Sequence, residues 1–354
     1  MPEASSTRED RAILSYQEVR QRCEGGHSSL LLGNGFSIAC SEVFTYPSLY
    51  QAAVRAGLSG RAQKVFHRLG TNNFEGVMRL LELSHWVAHT YGLAQPNTSE
   101  MLADLEIVKG SLIQAIGGSH LQHPGEIWEE RKARAVQFLN QYHAVFTTNY
   151  DLLLYWITLN NIPPLFDDGF RNDPDCSDRL VYSFYSGERR MYYLHGALHL
   201  YLQEGQLCKH RSGTDGLCLT ELIRESLSRG HYPVFVAESS AENKMSQINQ
   251  NPYLSNCLDQ FGGLKGKLVI LGHSLGDTDR HIVESIVRNP RLSTLYVGLH
   301  GDPENSANQA IQATARRLRD QRAQRPRWNP LDIYFYRSES ACVWDDDTET
   351  EEPS

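Results

Sequence analysis

The chain contains 354 residues with a formal net charge of −8, and 40% of its residues are hydrophobic and 21% charged. This composition is that of an ordinary globular protein and excludes a disordered chain. The acidic balance argues against a molecule whose whole surface binds nucleic acid. No apolar run approaches the roughly 20 residues of a membrane-spanning helix, and residues 1–10 lack the features of a secretory signal. We therefore expect a cytoplasmic protein that does not contact a membrane.

The seven cysteines are widely spaced and odd in number, and no Cys-x-x-Cys pair occurs. This pattern favours reduced thiols and argues against a structural zinc site. Cys208, His210 and Cys218 come nearest to a metal-ligand group, but buried or incidental thiols are the simpler interpretation. We expect no metal.

The first predicted strand is 28–32, whose apolar run indicates burial on both faces. Gly33–Gly35 ends this strand, and a helical stretch follows. Between residues 73 and 142, apolar side chains repeat at helical spacing in three stretches, with breaks near Gln95–Asn97 and His123-Pro124. We predict that residues 73–142 form a helical insertion between two strands.

Short apolar strands then alternate with helical segments. The predicted strands are 145–148, 192–194, 232–236, 268–271, 294–297 and 331–336, and the predicted helices are 151–158, 241–261, 278–288 and 304–322. This alternation predicts an α/β fold with a Rossmann-like, mostly parallel sheet and helices on both faces.

The remaining segments complete the predicted domain organisation. Residues 160–185 are rich in Pro, Asp and Gly and predict a loop, and 199–202 is a predicted hairpin partner of strand 192–194. We divide the chain into an N-terminal segment at 1–27, one domain at 28–340, and an acidic tail at 341–354 that we expect to be disordered.

Four polar or glycine-containing clusters each follow a predicted strand. They are Gly33–Ser37, Thr147–Asp151, His195-Gly196 and Gly272–Asp279. Ligands of open parallel sheets bind beyond the carboxyl ends of the strands, so one site could collect all four clusters.

The first two clusters each have a simpler interpretation. A Gly-x-Gly turn lets the backbone approach a phosphate in front of a helix, or it is a tight turn without a ligand. Thr148 or Asn149 could be a plain helix cap, and Asp151 could favour the positive end of the helix.

The other two clusters are equally ambiguous alone. His195 at a strand end could act as an acid–base group near neutral pH, although most of the 14 histidines are expected to be structural. Ser274 could donate to a ribose, and Asp277 or Asp279 could accept from a hydroxyl, or the segment could be a capped turn.

In this order, the clusters resemble the motifs of the sirtuin family. Gly33–Ser37 is similar to that family's Gly-Ala-Gly-x-Ser segment, and Thr147–Asp151 to its Thr-Gln-Asn-x-Asp segment. His195-Gly196 matches its catalytic His-Gly, and Gly272–Ser274 its Gly-x-Ser.

A narrower resemblance concerns bacterial antiphage defence. The Thr-Thr-Asn-Tyr-Asp form at 147–151 is similar to the sirtuin-like effectors of such systems, which hydrolyse NAD. The Gly-Asn-Gly-Phe string at 33–36, followed by Asn73–Glu75, also resembles abortive-infection family H and an uncharacterised relative of it. The resemblance spans about residues 28–300.

The resemblance implies that the chain binds NAD as a substrate and hydrolyses its nicotinamide–ribose bond. It implies catalytic roles for Asn149, His195 and Asp151, and NAD binding by Gly33, Asn34, Gly35, Ser37, Thr148, Gly272, Ser274, Asp277 and Asp279. Asn149 would hold the nicotinamide ribose and the attacking water, and His195 would be the base. Such cleavage needs positioning and one acid–base group rather than a covalent nucleophile.

Two departures from the sirtuin pattern limit this expectation. Asn34 replaces the usual alanine, which puts the details of phosphate contact in doubt. The four-cysteine zinc module of the deacetylases has no counterpart, which weakens protein deacylation and leaves NAD cleavage untouched.

Several alternatives stay open. The same motifs would suit a non-catalytic sensor of NAD or ADP-ribose, or an NAD-dependent protein deacylase or ADP-ribosyltransferase. Residues 272–276 also fit the Gly-x-Ser-x-Gly nucleophile elbow of hydrolases. The arginines between Arg316 and Arg327 form either a solvated helix face or a docking surface for nucleic acid or protein. A homo-oligomer or a partner defence protein is expected from the resemblance alone.

Overall fold

The structure is a computed structural model that describes residues 13–44, 49–93, 97–118, 124–158, 164–174, 176–183, 185, 187–210, 219–236, 241–325 and 328–345. Within these ranges, no helix has the length and apolar character needed to cross a membrane.

The strands form two sheets. They are β1 (Ser28–Leu32), β2 (Ala144–Thr147), β3 (Phe170–Asp173), β4 (Cys176–Tyr182), β5 (Arg190–Tyr193), β6 (Gly196–Gln203), β7 (Gln206–Lys209), β8 (Pro233–Phe235), β9 (Gly266–Leu271), β10 (Leu292–Leu299) and β11 (Asp332–Arg337).

The α-helices lie between and around these strands. They are α1 (Tyr16–Cys23), α2 (Asn34–Cys40), α3 (Leu49–Arg55), α4 (Gly60–Leu69), α5 (Phe74–Thr90), α6 (Asn97–Gly118), α7 (Glu129–Leu139), α8 (Leu153–Thr158), α9 (Leu219–Ser228), α10 (Ala241–Gln250), α11 (Pro252–Gly262), α12 (Arg280–Arg288) and α13 (Ser306–Ala323).

Six strands form an all-parallel sheet in the order β11-β10-β9-β1-β2-β5. Every residue of β1 is buried, because this strand has neighbours on both sides and helices cover the sheet. The predicted α/β fold with a Rossmann-like parallel sheet flanked by helices is confirmed. Helices α2 to α7 all lie between β1 and β2, and α5, α6 and α7 occupy the predicted insertion at 73–142.

The second sheet is antiparallel, in the order β3-β4-β7-β6-β8. The predicted loop at 160–185 is therefore wrong, since β3 and β4 lie within it. The predicted hairpin of 199–202 with 192–194 is also wrong: β5 ends the parallel sheet, and β6 pairs with β7 and β8. Strands β3 and β4 contain charged residues, among them Arg171, Asp173 and Arg179, and lack a continuous apolar run, so they do not show the sequence signal of a buried strand.

Both ends of the described chain belong to the core. Leu14 and Tyr16 are buried, and Leu14 bridges to Tyr336 of β11. Trp344 is 3% exposed, and its indole nitrogen donates a hydrogen bond of 2.9 Å to the carbonyl of Phe36. The predicted start of the disordered tail at residue 341 is therefore wrong, because Trp344 is packed in the core. Residues 346–354 of the predicted tail lie outside the described ranges.

Two turns at the carboxyl ends of β1 and β9 are in backbone contact. The amide of Gly35 donates to the carbonyl of Gly272 over 2.9 Å. A Cβ atom on Gly33 would lie 2.5 Å from that carbonyl oxygen, and a Cβ on Gly35 would lie 2.7 Å from the Cα of Gly272. Gly272 itself has a φ of +70°, a conformation that other residues rarely adopt. These glycines are required by the packing of the two turns.

We therefore expect Gly35→Ala to lower the free energy of unfolding by about 1–3 kcal/mol, the usual range for overpacking a rigid contact. Gly110→Ala is the control, because Gly110 lies within α6 and no atom is within 4 Å of the added Cβ. This control should raise stability by up to about 1 kcal/mol. Urea unfolding of both variants measures the difference, and equal midpoints would contradict the packing argument.

Candidate active site

The parallel sheet brings all four sequence clusters to one edge. Strands β9, β1, β2 and β5 are consecutive neighbours, and Leu32 is in register with both Leu271 and Thr147. Thr147 is in turn level with Tyr193. Asn149 lies two residues after Thr147, and His195 lies two residues after Tyr193. The two residues therefore lie at the same level beyond the ends of the neighbouring strands β2 and β5.

A buried chain of hydrogen bonds connects the first two clusters. The Nδ2 of Asn149 donates to the carbonyl of Gly33 over 3.0 Å and to the Oγ of Ser37 over 2.9 Å. The Ser37 hydroxyl donates to Oδ2 of Asp151 over 2.6 Å, and Oδ1 of that carboxylate accepts the amide of Leu153. Asn149 and Asp151 are 8% and 7% exposed, and Ser37 is fully buried. Ser37 thus holds the two predicted catalytic residues together.

Two other predicted NAD-binding side chains also have local partners. The Thr148 hydroxyl donates to the carbonyl of Leu32 over 3.3 Å, which satisfies the end of β1. The Asn34 side chain is 3.4 Å from the carbonyl of Phe44, a long hydrogen bond. Asn34 is exposed at the start of α2.

His195 lies in a buried cluster of charged and titratable groups. Its Nε2 lies 2.9 Å from Nε2 of His281 and 3.8 Å from Oδ1 of Asp279. The same Oδ1 is 2.5 Å from the ammonium of Lys244, on α10. Oδ2 of Asp279 is 3.3 Å from Nε2 of His273, whose Nδ1 accepts the amide of Leu275. That bond places the ring proton of His273 on Nε2, facing the carboxylate.

Burial and charge set the protonation of this cluster. Burial holds the pKa of His195 well below its ordinary value, against the attraction of Asp279, and lowers the pKa of His281 to about 4. Burial also opposes ionisation of Asp279, but His273 at 3.3 Å and the Lys244 ammonium are among the groups that outweigh it, so the pKa of Asp279 lies below its ordinary value. The cluster therefore combines neutral rings at His195 and His281 with an ionised carboxylate and a buried ammonium.

His195, Asp279 and His281 also meet a condition for binding a metal, because their donor atoms lie within 4.8 Å of one another. The Lys244 ammonium already balances the Asp279 carboxylate, and the two Nε2 atoms already share a hydrogen bond. Since these groups satisfy one another as an ion cluster, we assign no metal to them.

Two predicted ligand-binding residues of the fourth cluster are exposed. Ser274 and Asp277 lie on the outer part of the turn, whereas Asp279 points into the cluster around His195. A nucleophile elbow at 272–276 would need a histidine further along the chain to activate Ser274. The two histidines that follow have other partners: His281 bonds to His195, and His300 pairs with Glu339 at the surface. The structure therefore gives no support to the elbow. Asp279 is therefore better placed to act on His195 than on a ribose.

Sequence reasoning missed three members of the cluster around His195. His273 lies between the predicted residues Gly272 and Ser274, and His281 lies two residues after the predicted residue Asp279. Their closeness in sequence to these residues could have indicated that they belong to the site. Lys244 comes from a helix distant in sequence, and its position carried no such signal.

The described part of the arginine cluster, from Arg316 to Arg325, does not form one solvated face, and Arg327 lies outside the described residues. Arg322 is 1% exposed and donates to the carbonyls of Val287 and Ile286, which end α12. This side chain is structural.

The cysteine–histidine group has ordinary packing contacts. The Cys208 thiol contacts the carbonyl of Gln206, and the His210 ring stacks on Tyr201 at 4.3 Å. Cys218 lies outside the described residues.

The two predicted NAD-binding serines should differ in their effect on stability. Ser37→Ala removes a hydroxyl that pairs with both Asn149 and Asp151, so we expect a loss of about 1–3 kcal/mol in unfolding free energy. Ser274→Ala is the matched control and should change stability by less than about 0.5 kcal/mol, because Ser274 is exposed. Chemical denaturation of the two variants tests this, and similar losses would argue against the buried chain.

Burial lowers the pKa of His210 to about 4, with a smaller contribution from His231. Because the folded state favours the neutral ring, stability is full above pH 6.5 and falls as the pH drops toward 4. At pH 4.5, wild type should lose about 2–3 kcal/mol more than His210→Phe, relative to pH 7.5. Denaturation midpoints at the two pH values measure this, and parallel losses would show that His210 is not responsible.

The comparisons with known proteins bear on the family rather than on the chemistry. A search of curated proteins found no match to this chain. The family model described as "Domain of unknown function (DUF4917)" matches residues 30–344, a range that includes all four clusters and the parallel sheet except the first two residues of β1. The chain therefore belongs to the DUF4917 family.

Proposed function

We propose that this protein hydrolyses NAD at the nicotinamide–ribose bond, giving nicotinamide and ADP-ribose. The observation that carries the proposal is the placement of Asn149 and His195, each two residues beyond the paired ends of the adjacent parallel strands β2 and β5. The buried chain through Ser37 and Asp151 fixes the first of these side chains. This is the edge at which open parallel sheets bind ligands.

The orientation of Asn149 suits it to hold a water or a ribose hydroxyl. Both hydrogens of its Nδ2 are used, by the carbonyl of Gly33 and the hydroxyl of Ser37. A ligand at this residue would therefore meet Oδ1, which can only accept hydrogen bonds. An acceptor that orients a water is what attack on the ribose requires.

The surroundings of His195 suit it to act as a base. Burial keeps the ring neutral, so one ring nitrogen carries a lone pair at neutral pH, and the same burial lowers the basicity of the ring. When the ring takes a proton, the Asp279 carboxylate at 3.8 Å stabilises the imidazolium. His281 holds the ring in place through the contact between the Nε2 atoms. Lys244 limits the stabilisation by balancing part of the Asp279 charge.

Phosphate contacts would come from the turn after β1. The amides of Gly35 and Phe36 are used within the turns, by the carbonyls of Gly272 and Gly33. The amide of Asn34, as the first residue of α2, has no acceptor within its own helix. We expect Asn34 to face the pyrophosphate, and the exposed Ser274 to face the adenine ribose.

The wider biological role follows from the sequence resemblance. A cytoplasmic NAD hydrolase depletes its own cell, which is the action of an abortive-infection effector in antiphage defence. Such an enzyme must be held inactive in a resting cell, by its oligomeric state or by a partner defence protein.

Nicotinamide release from NAD by purified protein tests the proposal. His195→Ala and Asn149→Ala should each lower the rate at least 100-fold, the usual contribution of a positioned acid–base group or a bound nucleophile. His300→Ala is the matched control, because its side chain is 84% exposed at the surface. Because both side chains are buried, the variants should be less stable, and a cooperative unfolding transition above the assay temperature would establish that they are folded.

Two results would contradict this assignment. Nicotinamide release that survives in both site variants would place the chemistry elsewhere. NAD or ADP-ribose binding without release by the wild type would contradict hydrolysis by the isolated chain, in favour of a sensor or of an enzyme that requires its activator.

A further inference from the structure

A groove of about 340 Å³ lies between α12 and α13, outside the site around Asn149 and His195. Its apolar lining comes from Leu275, Val283, Val287 and Leu318, and its polar lining includes Thr314 and Gln321. Volumes of 300–1,000 Å³ are typical of small-molecule sites. The groove thus has the size and the mixed lining of a binding site.

Four arginines surround this groove, although the whole chain carries a net charge of −8. Two of them are neutralised: Arg280 pairs with Glu242, and Arg288 pairs with Glu284. The other two, Arg317 and Arg325, belong to the arginine cluster that the proposed function does not use.

Arg317 and Arg325 are exposed and have uncharged partners. Arg317 donates to the Thr314 hydroxyl over 2.9 Å, and the Arg325 guanidinium lies 4.3 Å from the centre of the Trp328 ring. Among the residues that the structure describes, no carboxylate pairs with either arginine. Arg317 and Gln321 lie one turn apart on α13, and Arg325 follows the end of this helix, so all three line the groove.

We propose that this groove binds a phosphorylated small molecule of nucleotide size. Guanidinium groups bind phosphate oxygens through paired hydrogen bonds, and two of them can share a diphosphate. The apolar lining accommodates a flat base or sugar face, while Thr314 and Gln321 offer hydrogen bonds to it. A nucleic-acid strand fits less well, because the groove is short and its other two arginines are already paired.

The groove shares a turn with the cluster around His195. Leu275, Gly276 and Asp277 line the groove, and Asp279 follows by two residues. Leu275 is buried with a φ of +52°, so this turn is held in an unusual conformation. A ligand in the groove should therefore rigidify the segment that carries Asp279, whether or not the protein cleaves NAD.

Calorimetric titration with ADP tests the binding site on the full chain. We expect the double variant Arg317→Ala/Arg325→Ala to weaken ADP binding at least tenfold. Arg316→Ala is the matched control, since Arg316 is exposed on the same helix and bonds to Gln312 outside the groove. This control should bind ADP as wild type does.

Inorganic phosphate and a short single-stranded DNA serve as competing probes. Inorganic phosphate should bind at least tenfold more weakly than ADP, because it cannot use the apolar lining. Absence of ADP binding, or equal ADP binding by all variants, would overturn the proposal. Arginine-dependent binding of DNA without binding of ADP would also overturn it, in favour of a nucleic-acid surface.

Hydrogen exchange tests the connection to the turn. Saturating ADP should slow amide exchange in residues 272–279 of the wild type and of Arg316→Ala, and not in the double variant. If ADP binds through the two arginines but exchange in this turn is unchanged, the groove is a binding site without the proposed connection. Because ADP is also part of NAD, the dependence on Arg317 and Arg325 is what separates this groove from the proposed NAD site, and neither measurement uses NAD cleavage.

Discussion

The contact between the turns after β1 and β9 is the constraint on which the candidate site depends. Gly33 and Gly35 have no room for a Cβ atom, because the backbone of Gly272 lies against them. The contact fixes the start of α2, and with it the depth at which Ser37 reaches Asn149. It also fixes the start of the turn that ends at Asp279. The glycines therefore have a structural role that exists without any ligand.

The buried polar groups impose a second constraint, because each needs a partner in the low-dielectric interior. The Asp279 carboxylate has Lys244 on one oxygen and His273 facing the other. The Asp151 carboxylate accepts from the Ser37 hydroxyl and the amide of Leu153. The two carboxylates are satisfied differently, by a charged partner in the first case and by neutral donors in the second. The first arrangement balances the charge of the carboxylate beside His195, whereas the second serves to hold Asn149.

The parallel sheet was predictable from sequence because its strands are apolar runs buried on both faces, as Leu30 and Val269 show. The second sheet was not, since β3 contains Arg171 and Asp173 and lies partly at the surface. The convergence of four clusters was predictable, because parallel strands end at one edge. The partners of each side chain were not. Lys244 and Asp279 are far apart in sequence, so no local pattern indicates that they pair. Whether Ser37 is buried between Asn149 and Asp151 depends on how α2 packs against the edge of the sheet.

The turn from Gly272 to Asp279 connects the separate parts of the molecule. Its first residue packs on the turn after β1, and its middle lines the arginine groove. Its last residue contacts His195 and Lys244. A left-handed conformation at a bulky residue costs roughly 1–2 kcal/mol, and the buried position of Leu275 shows that surrounding contacts offset that cost. The ligand proposed for the groove would add contacts to this segment and so restrict the motion of Asp279 relative to His195.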